Sequence, residues 1–344
     1  MNVLKYPWLA LSCALSATFA QAQMPDPPGQ VGPGEKPMHE AYLFAHMLQG
    51  DYWRLYYSVS LDGLHWEILN GGKRVFEDYR GHADICKGHD GRWYLVGNRG
   101  DHRPDINFWV SEDLITWEKH GDFVPDLKHV PDYPKALPRI GAPKLFFDEA
   151  SSQYLVTWHT THDLGQTDLP EPYWAGQRTL YSISKDLVTF SQPPRKLFSW
   201  DLATIDTIIR RAGDFYYAIL KDERYPTLEW TTGKTIRICR ASSLLGPYSE
   251  PGPPLSPNFR EAPTLIPSPN GKAWYLYYEQ YPGVSYGLSV AATLEGPWFQ
   301  VAGYQQPSWD KYSLPPKVRH GAMLPISRKQ YDALVARFGK APTN

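Results

Sequence analysis

Residues 205–224, IDTIIRRAGDFYYAILKDER, read as two short β-strands and the turn that joins them. IDTIIRR opens on an acid and continues in β-branched residues, FYYAIL is aromatic and apolar, and Ala-Gly-Asp between them is hairpin chemistry. An acid at the mouth of an apolar strand is costly to bury unless a partner or a task holds it there. Asp206 is therefore the first candidate for an active-site residue.

The unit repeats. An aromatic strand recurs as DYWRLYY from 51, GRWYLVGN from 91, SQYLVTWH from 152, GDFYYAIL from 213 and GKAWYLYYE from 271. Each is followed by a strand, a turn and an aromatic, closing at Trp66, Trp117, Phe190, Tyr248 and Trp298, at intervals of 51, 73, 58 and 50 residues. A third strand starts polar and turns apolar: HADICKG from 82, GAPKLFFD from 141, IDTIIRR from 205, EAPTLIP from 261 and RHGAMLPI from 319. Such periods, with no amphipathic helical pattern between copies, predict an all-β protein of radially repeated antiparallel sheets, a five-bladed β-propeller. The chain enters inside a blade and ends on an orphan polar-start strand, so RHGAMLPI is expected to complete the N-terminal blade and close the ring. The following SRKQYDALVARFG has helical spacing, with Tyr331, Leu334, Val335 and Phe338 on one face.

Lys5, the apolar run LALSCALSATFA and the small-x-small Ala20-Gln21-Ala22 read as a signal peptide over 1–22, which implies a secreted or periplasmic product. Residues 23–37 are a Pro/Gly-rich linker or arm, and 38–344 read as a single propeller domain. No later stretch approaches the ~18 apolar residues of a membrane span. A net charge of −1 argues against a nucleic-acid partner, whose binding leans on clustered Lys and Arg. Two cysteines beyond the signal, Cys86 and Cys239, are too few for a disulfide framework. The 13 Trp and 23 Tyr are informative: most belong to packing between strands and some to sugar-stacking surfaces.

In a propeller the first strand of every blade lines the central channel. The starts that converge there are His82 with Asp84, Gly141-Ala142-Pro143, Asp206, Glu261, and Arg319 with His320. Carboxylates, a guanidinium and imidazoles in one funnel suit glycoside hydrolysis with inversion. That reaction needs a carboxylic acid for the leaving oxygen and a base for water on the opposite face, roughly 6.5–9.5 Å away. A third charge can hold the acid protonated by like-charge repulsion. Trp158, His159 and His162 in WHTTH have a spacing that could suggest metal ligands. Their place at a strand end and loop favours a pocket wall instead, with Trp158 facing substrate. DGLHW, EDLITW and KDLVTF look like sugar-binding signatures but recur far from the axis, where turn chemistry explains them.

With these residues in place, the chain resembles glycoside hydrolase family 43, five-bladed propeller glycosidases acting on arabinose- and xylose-containing polysaccharides. Ile205-Asp206-Thr207-Ile208 matches the family's pKa-modulating aspartate, Glu261-Ala262-Pro263-Thr264 its general-acid motif, and Arg319-His320-Gly321 its channel histidine. ILKDER and LNGGKRV are also similar to members. The resemblance implies an inverting, exo-acting, α-L-arabinofuranosidase-like monomer with an oligosaccharide or polysaccharide substrate. It implies Glu261 as acid, Asp206 as modulator, and His82, Trp158, Arg319 and His320 as substrate-binding residues. No cofactor is required, and a structural calcium ion in the channel is compatible with it. The pattern breaks at the base: counting back from Gly88, the family aspartate falls on His82, and the nearest carboxylate is Asp84, one strand period deeper. Asp84 is the expected base. The other readings are His82 as base with Asp84 behind it, and a base that has been lost, which would leave a non-catalytic carbohydrate-binding propeller.

Overall fold

The structure is a computed structural model and describes residues 26–98, 103–133, 135–165, 168–283, 285–303 and 310–340; the expected signal peptide lies outside them. The first blade holds β1 (Ala41–Leu48), β2 (Asp51–Ser60) and β3 (Glu67–Ile68). The second holds β4 (Asp84–Lys87), β5 (Trp93–Gly97), β6 (Ile106–Ser111) and β7 (Glu118–Phe123). The third is β8 (Gly141–Asp148), β9 (Gln153–Thr161), then α1 (Pro172–Ala175), β10 (Gln177–Ser184) and β11 (Arg195–Lys196). The fourth is β12 (Thr204–Ala212), β13 (Phe215–Asp222) and β14 (Thr235–Ala241). The fifth is β15 (Arg260–Pro267), β16 (Trp274–Gln280), β17 (Ser285–Ala291) and β18 (Phe299–Gln300). Finally β19 (Val318–Ile326) pairs antiparallel with β1, from Ala41↔Ile326 to Leu48↔Val318, and α2 (Arg328–Phe338) follows.

Each sheet is an antiparallel meander, and the inner strands touch one another in the order β4, β8, β12, β15, β19 and back to β4. The fold is thus the expected five-bladed propeller, closed by the last strand. Aromatic residues fill the wedges between blades. Tyr42 and Phe44 of β1 meet Tyr275 and Tyr277 of β16, and Tyr94 of β5 meets Tyr154 of β9. α2 is started by a Ser327/Gln330 capping box and lays Tyr331 and Leu334 on the first-blade core.

One expectation needs correction here. DYWRLYY is not the first blade's copy of the aromatic strand. AYLFAHML in β1 is, and DYWRLYYSVS forms β2, the copy of FWVSEDLITW. Residues 26–30 of the linker are pinned across the seam between the fifth and first blades: the Gln30 amide donates to Tyr275 Oη (2.8 Å) and to the Asp62 carbonyl (3.1 Å). The DGLHW-type turns are local chemistry as read. Asp62, Asp113 and Asp186 each accept two backbone N–H groups through Oδ1 at 2.8–2.9 Å, and each is bonded by the serine two residues earlier.

His46 sits fully buried at the closure. Its Nδ1–H donates to the Met47 carbonyl (3.0 Å) and its Nε2 accepts from Ser58 Oγ (2.8 Å). Burial pushes its pKa down to about 4, against the raising effect of the Met47 bond. The unfolded chain therefore binds a proton between pH 6.5 and 4 that the folded one refuses, so stability falls as pH drops through that window. The expected loss is on the order of 3 kcal/mol by pH 4. Urea unfolding across this range should show it, and His46→Gln should flatten the slope; an unchanged slope would remove the histidine from the account.

Candidate functional site

The strand registers define the site. Gly141 pairs with His159, Ile205 with Lys221, Glu261 with Glu279 and Arg319 with Met47; in each case the inner strand then carries an extra residue before pairing resumes at Lys144, Ile208, Thr264 and Gly321. A bulge of this kind re-aims one side chain, and Ala142, Asp206 and Ala262 take positive φ at it (37°, 54° and 49°). Aligning all five inner strands puts His82, Ala142, Asp206, Ala262 and His320 on one ring around the axis. Asp206 and Glu261 are therefore not equivalent, as the repeat suggested, but one position apart. The Ala262 N–H donates to Asp206 Oδ2 (3.0 Å).

A cavity of about 490 Å³ opens above this ring, and His82, His159, Asp206, Glu261, Arg319 and His320 all line it. His320 Nε2 stands 3.7 Å from Asp206 Oδ2 and 3.8 Å from Glu261 Oε1, so one imidazole is straddled by two carboxylates. Its ring meets that of His82 edge-on, with centroids 4.7 Å apart. His159 Nδ1 approaches Asp206 Oδ1 to 3.9 Å. Gly141 makes room for that, since a Cβ there would lie 1.8 Å from His159 Nε2.

The walls carry an alternating chain of charge. Lys221 Nζ donates to Glu261 Oε2 (3.0 Å) and pairs with Glu223 Oε1 (2.7 Å). Lys234 joins Glu223 to Glu171 (2.6 Å). Arg319 binds Glu279 and reaches Glu261 Oε1 at 3.6 Å. Burial alone would strip Lys221 of its proton, but Glu261 and Glu223 outweigh it and hold the ammonium charged. Burial alone would likewise raise the Asp206 carboxyl. His320, His159, Lys144 and Lys221 outweigh it and keep Asp206 well below the usual carboxylate range. Burial drives His320 far down, assisted by His82, Lys144 and Arg319 against the pull of Asp206.

Asp84 does not line the cavity. It occupies the next ring down, with Lys144, Ile208, Thr264 and Ala322, all buried. Its Oδ2 accepts the Leu145 N–H (2.8 Å) of the neighbouring blade, as Thr264 Oγ1 accepts that of Met323 (2.7 Å). β4 begins only at Asp84, and His82 lies before it, outside the paired strand, so the two-residue alternation that would have turned both to the same face does not extend to His82. This ring also plugs the channel beneath the site. Trp158 is a second correction. It is buried in the core between the second and third blades, against Phe123 (5.9 Å), and its neighbour His159 faces the cavity instead.

Lys221, Glu223 and Lys234 were not singled out by sequence reasoning. Counting five residues on from Trp93, Tyr154, Tyr216, Trp274 and Tyr42 in the aromatic strands gives Asn98, His159, Lys221, Glu279 and Met47; in the fourth copy Phe215 precedes Tyr216, so the offset taken from the first aromatic falls on Leu220, one residue short of Lys221. Glu261, Glu279 and His320 bring ligand atoms within 4.8 Å of one another. The donor set does not fit calcium, which takes six to eight oxygens: both acids are already paired with Arg319, and the third donor is a nitrogen.

A family profile described as "Probable glycosyl hydrolase domain", of the glycosyl hydrolase 43-related type, matches residues 37–332. The chain is 27% identical over 202 residues to an α-L-arabinofuranosidase of Bifidobacterium longum subsp. longum; the match takes in 51% of this chain and 18% of that protein's length. The glycoside hydrolase family 43 arabinoxylan arabinofuranohydrolase from Bacillus subtilis superimposes with a TM-score of 0.54 and 12% identity, over 85% of this chain and 66% of that one. An exo-β-1,3-galactanase from Phanerochaete chrysosporium gives 0.51 and 15%, over 68% and 53%. At these identities the structural likeness is one of fold.

Proposed function

The chain belongs to the glycosyl hydrolases related to glycoside hydrolase family 43, and from that premise we propose that it is an exported, exo-acting, inverting glycosidase releasing terminal arabinose- or xylose-type sugars. The observation that supports this most is the pair Asp206 and Glu261 astride His320 at the floor of a cavity whose channel is plugged below. A cavity with one mouth takes a chain end, and about 490 Å³ suits one or two sugar rings.

In this reading Glu261 Oε1, the oxygen Lys221 does not bind, gives its proton to the leaving oxygen. With Asp84 one ring too deep, the His82 imidazole takes the proton from the attacking water. Water then becomes the new anomeric hydroxyl with inverted configuration, and the leaving sugar departs as the alcohol.

The test is ¹H NMR of the first product formed from arabino-, xylo- and β-1,3-galacto-oligosaccharides. A single sugar of inverted anomeric configuration is expected, and a retained anomer would exclude the mechanism. A second reading, a carbohydrate-binding propeller without turnover, is favoured by the position of Asp84 and by the two cations on Glu261. Calorimetric binding with no product on long incubation would establish it instead. Export is checked by mass spectrometry of the mature protein, which should begin at Gln23.

A further inference from the structure

At the cavity mouth the structure holds an aromatic side chain in a conformation that packing does not explain. Trp53 lines the cavity, is 39% exposed, and has φ of 60°. For a bulky residue this is a genuine outlier, and such strain persists only where the surroundings impose it, most often at ligand sites. The surroundings here can be named. Between Leu48↔Asp51 and His46↔Tyr56, β2 spends five residues where β1 spends two, and the surplus is pushed out over the cavity. The Trp53 carbonyl is fixed by the Gly81 N–H (3.1 Å). Gly81 itself has φ of 135° and no room for a Cβ, which would lie 2.5 Å from the Asn98 nitrogen. Its neighbour Tyr52 is committed elsewhere: its hydroxyl accepts from Arg319 (2.7 Å), whose guanidinium lies over its ring. That leaves the indole of Trp53 presented to solvent at the rim, on a backbone joined to the segment that carries His82.

We propose that Trp53 is the stacking platform for the sugar on the leaving-group side of the scissile bond. The inference rests on the glycosidase reading of the cavity. The terminal sugar lies on the floor, beside Asp206, Glu261 and His320, so the remainder of the chain must leave through the mouth and pass this indole. An indole offers a large, rigid apolar face with a polar edge and loses little conformational freedom on binding, which suits the alternating apolar and hydroxylated surfaces of a sugar ring. The site is thereby built for oligosaccharide or polysaccharide ends rather than for small glycosides.

The experiment compares wild type, Trp53→Ala and Trp53→Phe on the oligosaccharide turned over best and on the corresponding glycosyl fluoride, whose leaving group has nothing to stack. Trp53→Ala should lower kcat/KM on the oligosaccharide roughly 10- to 100-fold, mostly through KM, and Trp53→Phe should restore much of it. The loss should shrink as the leaving group shortens to fluoride. An equal loss on both substrates would overturn the proposal and make Trp53 a support for the His82 segment; no loss on either would also overturn it. Phe299→Ala, on the outer strand β18, serves as the unaffected control. If no glycoside is turned over at all, the glycosidase reading fails separately. The platform is then read by calorimetry with the same oligosaccharides, where unchanged affinity in Trp53→Ala overturns it.

Discussion

Glu261→Gln should lower kcat on an oligosaccharide by about 10²–10⁴-fold, the range a positioned general acid supplies. The substitution is isosteric and keeps an oxygen for the Lys221 ammonium, so the melting temperature should change little. The loss should depend on the leaving group: large for a sugar alcohol, which cannot depart as an alkoxide, and small for fluoride, which needs no proton. Retention of wild-type turnover on the oligosaccharide would remove Glu261 from the acid role. A loss of equal size on fluoride would point to binding or folding rather than proton delivery.

The second large effect separates His82 from Asp84. His82→Ala should reduce turnover by about 10²–10⁴-fold on activated and unactivated substrates alike, because water activation is needed for both. Azide, which needs no base, should restore part of the rate and yield a glycosyl azide. Asp84→Asn should behave differently. Burial raises the Asp84 carboxyl while Lys144 and Arg210 oppose that rise, so removing its charge takes from buried Lys144 and partly buried Arg210 one of the charges that offset theirs. Uncompensated buried charge is expensive, about 3–5 kcal/mol, and the variant should be markedly less stable while turning over normally per folded molecule. If Asp84→Asn lost turnover at unchanged stability, the base would be Asp84 and the ring argument would fail.

The blade architecture was legible because each strand type has its own chemistry and recurs five times. The first blade was misread because DYWRLYY carries more aromatic character than AYLFAHML, although only the latter pairs with β19. At the site the repeat placed Asp206, Glu261 and His320 together but not in register. A bulge adds one residue to a strand without any fixed sequence mark, and that single residue decides whether a side chain faces the axis or the next blade. In the second blade the paired strand starts only at Asp84, which sits a ring below His82, and plain alternation along β9 put Trp158 in the core and His159 in the cavity. Glu171, Trp174 and Lys234 come from connections with no period at all, so nothing in the spacing could have announced them.

The pairing of β19 with β1 also bears on how the molecule comes to exist. β1 leaves the ribosome before every other described strand and its inner neighbour β19 after them, so the first blade stays unfinished until the other four have been made. Contacts between such distant segments form slowly, because the intervening chain must be ordered before they reward it. Until then β1 presents an open, apolar edge to every other chain in the vicinity, and the concentration of nascent molecules, rather than the strength of any one contact, sets how many close on themselves.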